Sequence, residues 1–174
     1  GVQRHRLLPA QGAASLAASY TNLANPGTYN AAPGVAPTWD TTNGWIGSAT
    51  AYLTTGVVPA VGWTVITRLS SSPSNGFAIG SVAANATSTY SIRPNAFSSQ
   101  YVYGSAASSP GPITNGVLSL AANQPYFNGS AYGAAISGTW TGTAIEFYIL
   151  ARNLSGSASG FFNGGKIQAI AIYD

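Results

Sequence analysis

Charge is what this chain has least of. Of 174 residues, six are Lys or Arg and three are Asp or Glu, 5% together, where a soluble domain usually carries about 25%. The polar surface must therefore be built from Ser, Thr, Asn, Gln and backbone. Such a surface repels its own copies weakly and favours close lateral association. The net charge of +3 and the pI near 9.3 reflect this scarcity, not a basic face. Arg4-His5-Arg6 is too short a run to supply the several phosphate contacts that nucleic-acid affinity requires, so no nucleic acid is expected as a partner. Cysteine is absent, which excludes disulfides and thiolate metal sites without fixing the compartment. Methionine is absent too, and Gly1 is expected to follow a segment removed before it. No apolar run approaches the roughly 18 residues of a membrane span, so no membrane insertion is expected, and nothing here reads as a signal peptide.

What is present is a β vocabulary. The length suits one domain, which would bury roughly 70% of the surface of its unfolded chain. Residues 1–19 join a basic start to Leu7-Leu8-Pro9 and an Ala/Ser-rich stretch, and read as an arm or a short helix. Two Pro-Gly pairs and a further proline between Tyr20 and Asn43 stop any helix and predict turns with short edge strands. Strands are predicted at Ala51–Thr55, Trp63–Leu69, Gly76–Val82, Thr89–Arg93 and Gln100–Tyr103 from alternating apolar residues. Ser70–Asn75 and Ser105–Pro112 read as loops. Val117–Ala121 pairs with Pro125–Phe127, Asn128-Gly129 makes a hairpin turn, and Tyr132–Ile136 returns. Thr143–Arg152 reads as the longest strand, apolar on both faces. Phe161–Asp174 reads as a closing core strand behind an Asn163-Gly164-Gly165 turn, with Ile167, Ile170 and Ile172 inward. About ten short strands without helical periodicity predict an all-β fold, a two-sheet antiparallel β-sandwich. No repeat period favours a propeller or solenoid.

The order of phrases resembles a known superfamily. Gly-Trp-Thr-Val-Ile-Thr-Arg, Gly-Phe-Ala-Ile-Gly-Ser, Tyr-Phe-Asn-Gly, Glu-Phe-Tyr-Ile-Leu-Ala-Arg-Asn and Phe-Phe-Asn-Gly-Gly-Lys-Ile-Gln-Ala-Ile-Ala-Ile-Tyr-Asp follow one another as in the concanavalin A-like, laminin-G-type jelly rolls. Asn-Pro-Gly-Thr-Tyr, Gly-Val-Ala-Pro-Thr-Trp and Tyr-Leu-Thr-Thr-Gly resemble laminin-G-like domains of bacteriophage and prophage structural proteins. The resemblance implies a single jelly-roll domain over 20–174, with 1–19 outside it, and a non-enzymatic module of the cell exterior or virion surface. Such a module acts by binding. Its expected partners are copies of itself, other virion or extracellular subunits, or glycans. A purely structural phage or filament subunit is one alternative, and an atypical glycoside hydrolase another.

The candidate residues are few. Glycoside hydrolysis needs two carboxylates across the scissile bond, and the superfamily's glucanases carry them as Glu-x-Asp-x-Glu. Here the positions two away from Glu146 are Ala144 and Tyr148. Glu146 is instead expected to pair with Arg152, Arg68 or Lys166 on a sheet face, and no catalytic residue is assigned. His5, the sole histidine, reads as solvated. Zinc lacks ligands, and no cofactor is expected beyond a weak calcium site, like those of laminin-G domains, at Asp40 and Asn43. With 10 Tyr and 4 Trp, an aromatic face for the apolar side of a sugar is the remaining candidate. Tyr101, Tyr103, Tyr126, Tyr132 and Trp140, in or beside predicted turns, are its expected residues. Asn-x-Ser/Thr triplets stand at Asn85, Asn128 and Asn153.

Overall fold

The computed structural model describes residues 4–73, 75–83, 86–95 and 99–174. The chain opens with β1 (Arg4–Pro9) and a single helical turn, α1 (Leu16–Ser19). Four short strands follow: β2 (Ala32–Val35), β3 (Thr38–Asp40), β4 (Gly44–Ile46) and β5 (Tyr52–Thr54). The long β6 (Thr64–Ser71) leads to β7 (Ile79–Val82), β8 (Thr89–Arg93), β9 (Ser99–Tyr103) and β10 (Ala106–Gly111). Next come β11 (Gly116–Ala121), β12 (Gln124–Phe127) and β13 (Ser130–Ala131). The last group is β14 (Tyr148–Ile149), β15 (Arg152–Leu154), β16 (Ser157–Ser159) and β17 (Lys166–Tyr173).

These strands make two sheets. The first runs β13-β12-β11-β6-β17-β4-β3, with β1 also on β17. The second runs β10-β9-β8-β7-β14-β5-β2, with β15 on β7 and β16 on β15. Apart from β15 with β7, the described pairings are antiparallel. The chain passes repeatedly between the sheets, and one apolar core joins their inner faces, with Leu8, Trp45, Val65 and Ile170 from one and Leu53 and Ile92 from the other. The fold is the predicted two-sheet antiparallel sandwich.

β17 is the central strand of the first sheet. It pairs with β6 along its length on one edge, and with β4 and β1 in tandem on the other. Its inward isoleucines are three residues apart at 167 and 170 but two apart at 170 and 172, which no regular strand allows. The register explains this: Ile167 faces Leu69 and Ala169 faces Arg68, so Gln168 is the extra residue of a bulge that resets the parity. All three isoleucines are fully buried. The preceding turn carries Gly164 at φ 72°, as Asn163-Gly164-Gly165 predicts.

Several expectations need correction. Arg4–Pro9 is a strand of the first sheet rather than an arm beside it, because Leu8 and Arg6 alternate inward against Ile170 and Ile172. Within residues 4–19 the helix covers only Leu16–Ser19, where Ser15 Oγ accepts the Ala18 N–H at 3.1 Å. Thr143–Arg152 is not one strand: Leu150 turns at φ 65°, and only Tyr148–Ile149 pairs before the chain reverses into β15. Ser105–Pro112, read as a loop, contains β10, an edge strand that tolerates Pro110 because one side needs no partner. Tyr132–Ile136 is not a strand; pairing beyond the hairpin stops at Ala131. The Asn128-Gly129 turn itself is as predicted, with φ 48° and 83° between Phe127 and Ser130, the signs of a type I′ hairpin.

Candidate functional site

The five aromatic residues expected to hold a sugar do not form one surface. Tyr101 is fully buried and Tyr103 nearly so, both inward on β9. The Tyr101 hydroxyl donates to the carbonyl of Tyr126 on the opposite sheet at 3.1 Å. Tyr103 stacks on the half-buried Trp140 with ring centroids 5.5 Å apart, inside a cluster with Tyr90 and Phe147. Tyr132 leans on Phe127 at 5.5 Å, next to the same core. Of the five, Tyr126 points away from the core, opposite Ser119. Tyr101 and Tyr103 are thus packing residues, because a phenol can bury its ring and still reach a carbonyl across the core.

Asp40 and Asn43 do come together, in the turn between β3 and β4. Asp40 Oδ1 accepts the N–H groups of Thr42 at 2.9 Å and Asn43 at 2.7 Å, and Oδ2 accepts Asn43 Nδ2 at 2.8 Å. The arrangement is a side-chain cap on a tight turn. Asn43 presents donors to the carboxylate, where calcium would need oxygens. These bonds, Asn43's side chain first and its backbone next, hold the carboxyl below its usual range, with Lys166 adding least. Among the described residues no three of His, Cys, Asp or Glu gather.

Glu146 lies where its sequence neighbours give no hint of its partners. Its Oε2 accepts the N–H of Thr55 at 2.7 Å and that of Gly56. The carbonyl of Thr55 accepts Nη2 of Arg6, a fully buried arginine that β1 sends across the core. One peptide unit, Thr55 C=O to Gly56 N–H, therefore stands between guanidinium and carboxylate, which correct the expected pairing with Arg152, Arg68 or Lys166. Desolvation brings Arg6 down to about 10 while the charge of Glu146 resists the fall, and Nε and Nη1 of Arg6 meet no acceptor. Beyond the carboxylate a shallow groove of about 400 Å³ opens, with Val58, Ala144, Ile145, Tyr148 and Asn153 among its walls. Asn153 is locked there, Nδ2 donating to Glu146 O at 3.0 Å and Oδ1 accepting Gly156 N at 2.8 Å.

A second surface is the outer face of the first sheet. Register places Tyr126, Ser119, Ile66, Ala171 and Leu7 in one row across five strands, facing away from the core. Val117, Arg68, Ala169 and Pro9 form the next row, and Gln124, Ala121, Thr64, Tyr173 and Arg4 form the row on the other side. Arg68 and Arg4 are the charged residues in these three rows. Arg68 Nε donates to Gln168 Oε1 at 2.9 Å, so the bulge also ties down that cation.

Of the Asn-x-Ser/Thr positions, Asn153 is buried, Asn128 is exposed at the hairpin tip, and Asn85 lies outside the described residues. No helix among the described residues is long and apolar enough to cross a membrane. No family model, curated protein or solved structure matches the chain.

Proposed function

We propose that this is a non-enzymatic, concanavalin A-like jelly-roll module of the cell exterior or virion surface, and that it works by assembling with copies of itself. The observation that carries the reading is the outer face of the first sheet: three rows of mostly small and uncharged residues across β12, β11, β6, β17 and β1, with Arg68, tethered to Gln168, and Arg4 as their charges. A sheet face this poor in charge meets a second copy with little desolvation penalty and no repulsion to overcome. Two further features support the family reading. Strands alternate between facing sheets through long crossovers, as in Greek-key and jelly-roll sandwiches, and the phrases quoted from the sequence fall on β6, β12 and β17 in the expected order. A binding role rather than hydrolysis is supported by Glu146, whose Oε2 is held by two backbone N–H groups, and by Asp40, occupied in a turn of the other sheet.

Size-exclusion chromatography with light scattering tests the reading. The chain is expected to run as an oligomer that dissociates on dilution, and Ile66→Glu, which puts a charge in the middle of the central row, is expected to leave a folded monomer. A wild-type chain that stays monomeric at high concentration, or an oligomer indifferent to Ile66→Glu, refutes assembly through this face.

A further inference from the structure

We propose that the groove over Glu146 is a binding site for a neutral cyclic polyol, a saccharide ring, with Glu146 Oε1 as hydrogen-bond acceptor, Tyr29 as platform and Arg6 as a positioning residue. The inference is independent of the assembly reading, since a monomeric chain would hold the same groove.

Glu146 Oε2 is fixed by Thr55 N–H and Gly56 N–H, and no donor among the described residues reaches Oε1, which is left to the groove. A carboxylate oxygen held in place and left unpaired is a strong acceptor waiting for a donor. The buried Arg6 sits behind it, bonded to the carbonyl of the same peptide whose N–H bonds Oε2. Hydrogen bonds chained through one polarised peptide strengthen one another, and the pair as a whole is neutral. Arg6 weakens the pull of Glu146 on a cation. An ammonium would also have to shed its hydration against the apolar walls, whereas a hydroxyl gains the acceptor at a smaller desolvation cost.

The walls fit the same ligand. Val58, 40% exposed, and Ala144 and Ile145 present apolar surface. Tyr29 packs beside Gly56, one wall of the groove: it is 49% exposed, and its Cδ1 lies 3.5 Å from where a Cβ on Gly56 would be. It is held at φ 55°, a backbone conformation that a non-glycine residue adopts at a cost. An exposed aromatic ring beside an unpaired acceptor matches the two sides of a pyranose, its C–H face and its hydroxyl edge. Arg6 touches no ligand in this scheme and acts by holding the carboxylate in place.

The chain offers a clean probe, because Glu146 is its sole glutamate and ¹³C-glutamate labelling gives one side-chain carboxyl resonance. That resonance, with the Gly56 amide, is followed while glucose, galactose, mannose and N-acetylglucosamine are added singly up to concentrations that detect millimolar affinity. Glycerol and ethylammonium chloride are run alongside. At least one of the sugars is expected to move both signals saturably, with glycerol, which lacks a ring face, and ethylammonium ineffective. Tyr29→Ala, at a surface position, and Glu146→Gln, followed at Gly56, are each expected to weaken that sugar about tenfold. Arg6→Met is expected to move the Glu146 carboxyl and Gly56 amide signals of the free protein and to weaken the sugar, and Arg6→Lys, which keeps the charge, is expected to restore both.

A panel in which no sugar moves either signal overturns the site. Binding of ethylammonium or glycerol instead of the sugars overturns the ligand class. Wild-type affinity in Tyr29→Ala and Glu146→Gln removes these residues from the site, and wild-type affinity in Arg6→Met, or no recovery in Arg6→Lys, removes the positioning role.

Discussion

Tyr90 sits on β8 of the second sheet with no exposed surface, yet its hydroxyl donates to carbonyls of the first sheet's side of the core, Leu120 O at 2.6 Å and Trp63 O at 3.0 Å. Three rings meet it edge-on, Phe147 at 5.3 Å, Tyr103 at 5.8 Å and Trp140 at 5.9 Å. Tyr90→Phe keeps all of that packing and deletes only the hydroxyl. Leu120 O and Trp63 O then lose this donor, Trp63 O keeping the Ala122 N–H at 2.9 Å, and deleting a buried hydroxyl bond costs about 1–3 kcal/mol. At about 2–4 °C per kcal/mol for a chain of this size, the melting temperature falls by roughly 2–12 °C. Urea unfolding followed by tryptophan fluorescence measures the difference, and Tyr103→Phe is the control: its ring is almost as buried, but its hydroxyl makes no hydrogen bond among the described residues, so its loss costs within about 0.5 kcal/mol. A Tyr90→Phe protein as stable as wild type, or one no less stable than Tyr103→Phe, would refute the claim that this hydroxyl ties the sheets together.

Alkaline pH tests the same phenols together. Burial pushes up the pKa values of Tyr20, Tyr90, Tyr101 and Tyr148, with nearby Glu146 and Tyr52 adding to the last. Their stabilisation is complete below the unfolded tyrosine pKa of about 10 and is lost as pH rises from there towards the folded values. Arg6, lowered to about 10, works in the opposite sense above that pH, one group against four, so stability is expected to fall above pH 10 and to fall less steeply in Tyr90→Phe/Tyr101→Phe; a flat profile to pH 11 contradicts the burial of these rings. Two glycines separate crowding from backbone strain. A Cβ on Gly47 would lie 2.2 Å from the carbonyl oxygen of Phe162, so Gly47→Ala is expected to abolish soluble folded protein, whereas Gly129→Ala, open on all sides at φ 83°, costs about 1 kcal/mol by thermal melting.

Where alternation and turn chemistry coincide, the sequence was a sufficient guide. Thr64–Leu69, Leu118–Leu120 and the Asn128-Gly129 hairpin follow it residue by residue. The closing strand was legible as a core strand, but its bulge was written only in the uneven spacing of Ile167, Ile170 and Ile172, a departure from period two that a count of isoleucines passes over. β10 was illegible because Ala, Ser, Pro and Gly carry no strand preference; its pairing with β9 decides the matter. The aromatic residues misled for a different reason: a tyrosine in a short strand beside a turn looks exposed unless one knows that the opposite sheet offers a carbonyl to its hydroxyl. The Glu146 groove was hidden for want of any local signal. Its partner Arg6 lies at the other end of the chain, and the peptide between them belongs to a third segment. The positive φ of Tyr29 and the unpaired oxygen of Glu146 are properties of the folded backbone alone.

The charge deficit acquires a sharper meaning once the sheet edges are inspected. Soluble β proteins commonly guard exposed edges with lysine and other charges, which this chain scarcely has. The first sheet ends in strands of two and three residues, β13 and β3, too short to template another chain. In the second sheet the edge strand β2 carries Pro33 and an irregular register between Pro33 and Val35, and a proline donates nothing to a neighbour. β10 contains Pro110 and is flanked by the 132–139 segment: Thr139 O accepts Ser105 N at 3.2 Å, and a Cβ on Gly133 would lie 3.2 Å from Pro110 Cβ. β1, paired on one side with β17, is covered on the other at Leu7, whose N–H donates to Asn22 Oδ1 at 2.9 Å and whose carbonyl accepts Leu23 N at 2.9 Å. These edges are thus blunted by shortness, proline or cover, devices that need no charge and act only at edges. None of them protects the outer face of the first sheet over β12, β11, β6, β17 and β1, where charge would be the simplest deterrent to association and the three rows hold Arg68 and Arg4 alone. A chain that blunts these edges against strand addition while leaving one broad face poor in charge directs contact between copies from edge to face. Side chains, not backbone hydrogen bonds, then choose the partner, which favours a defined assembly over open-ended aggregation.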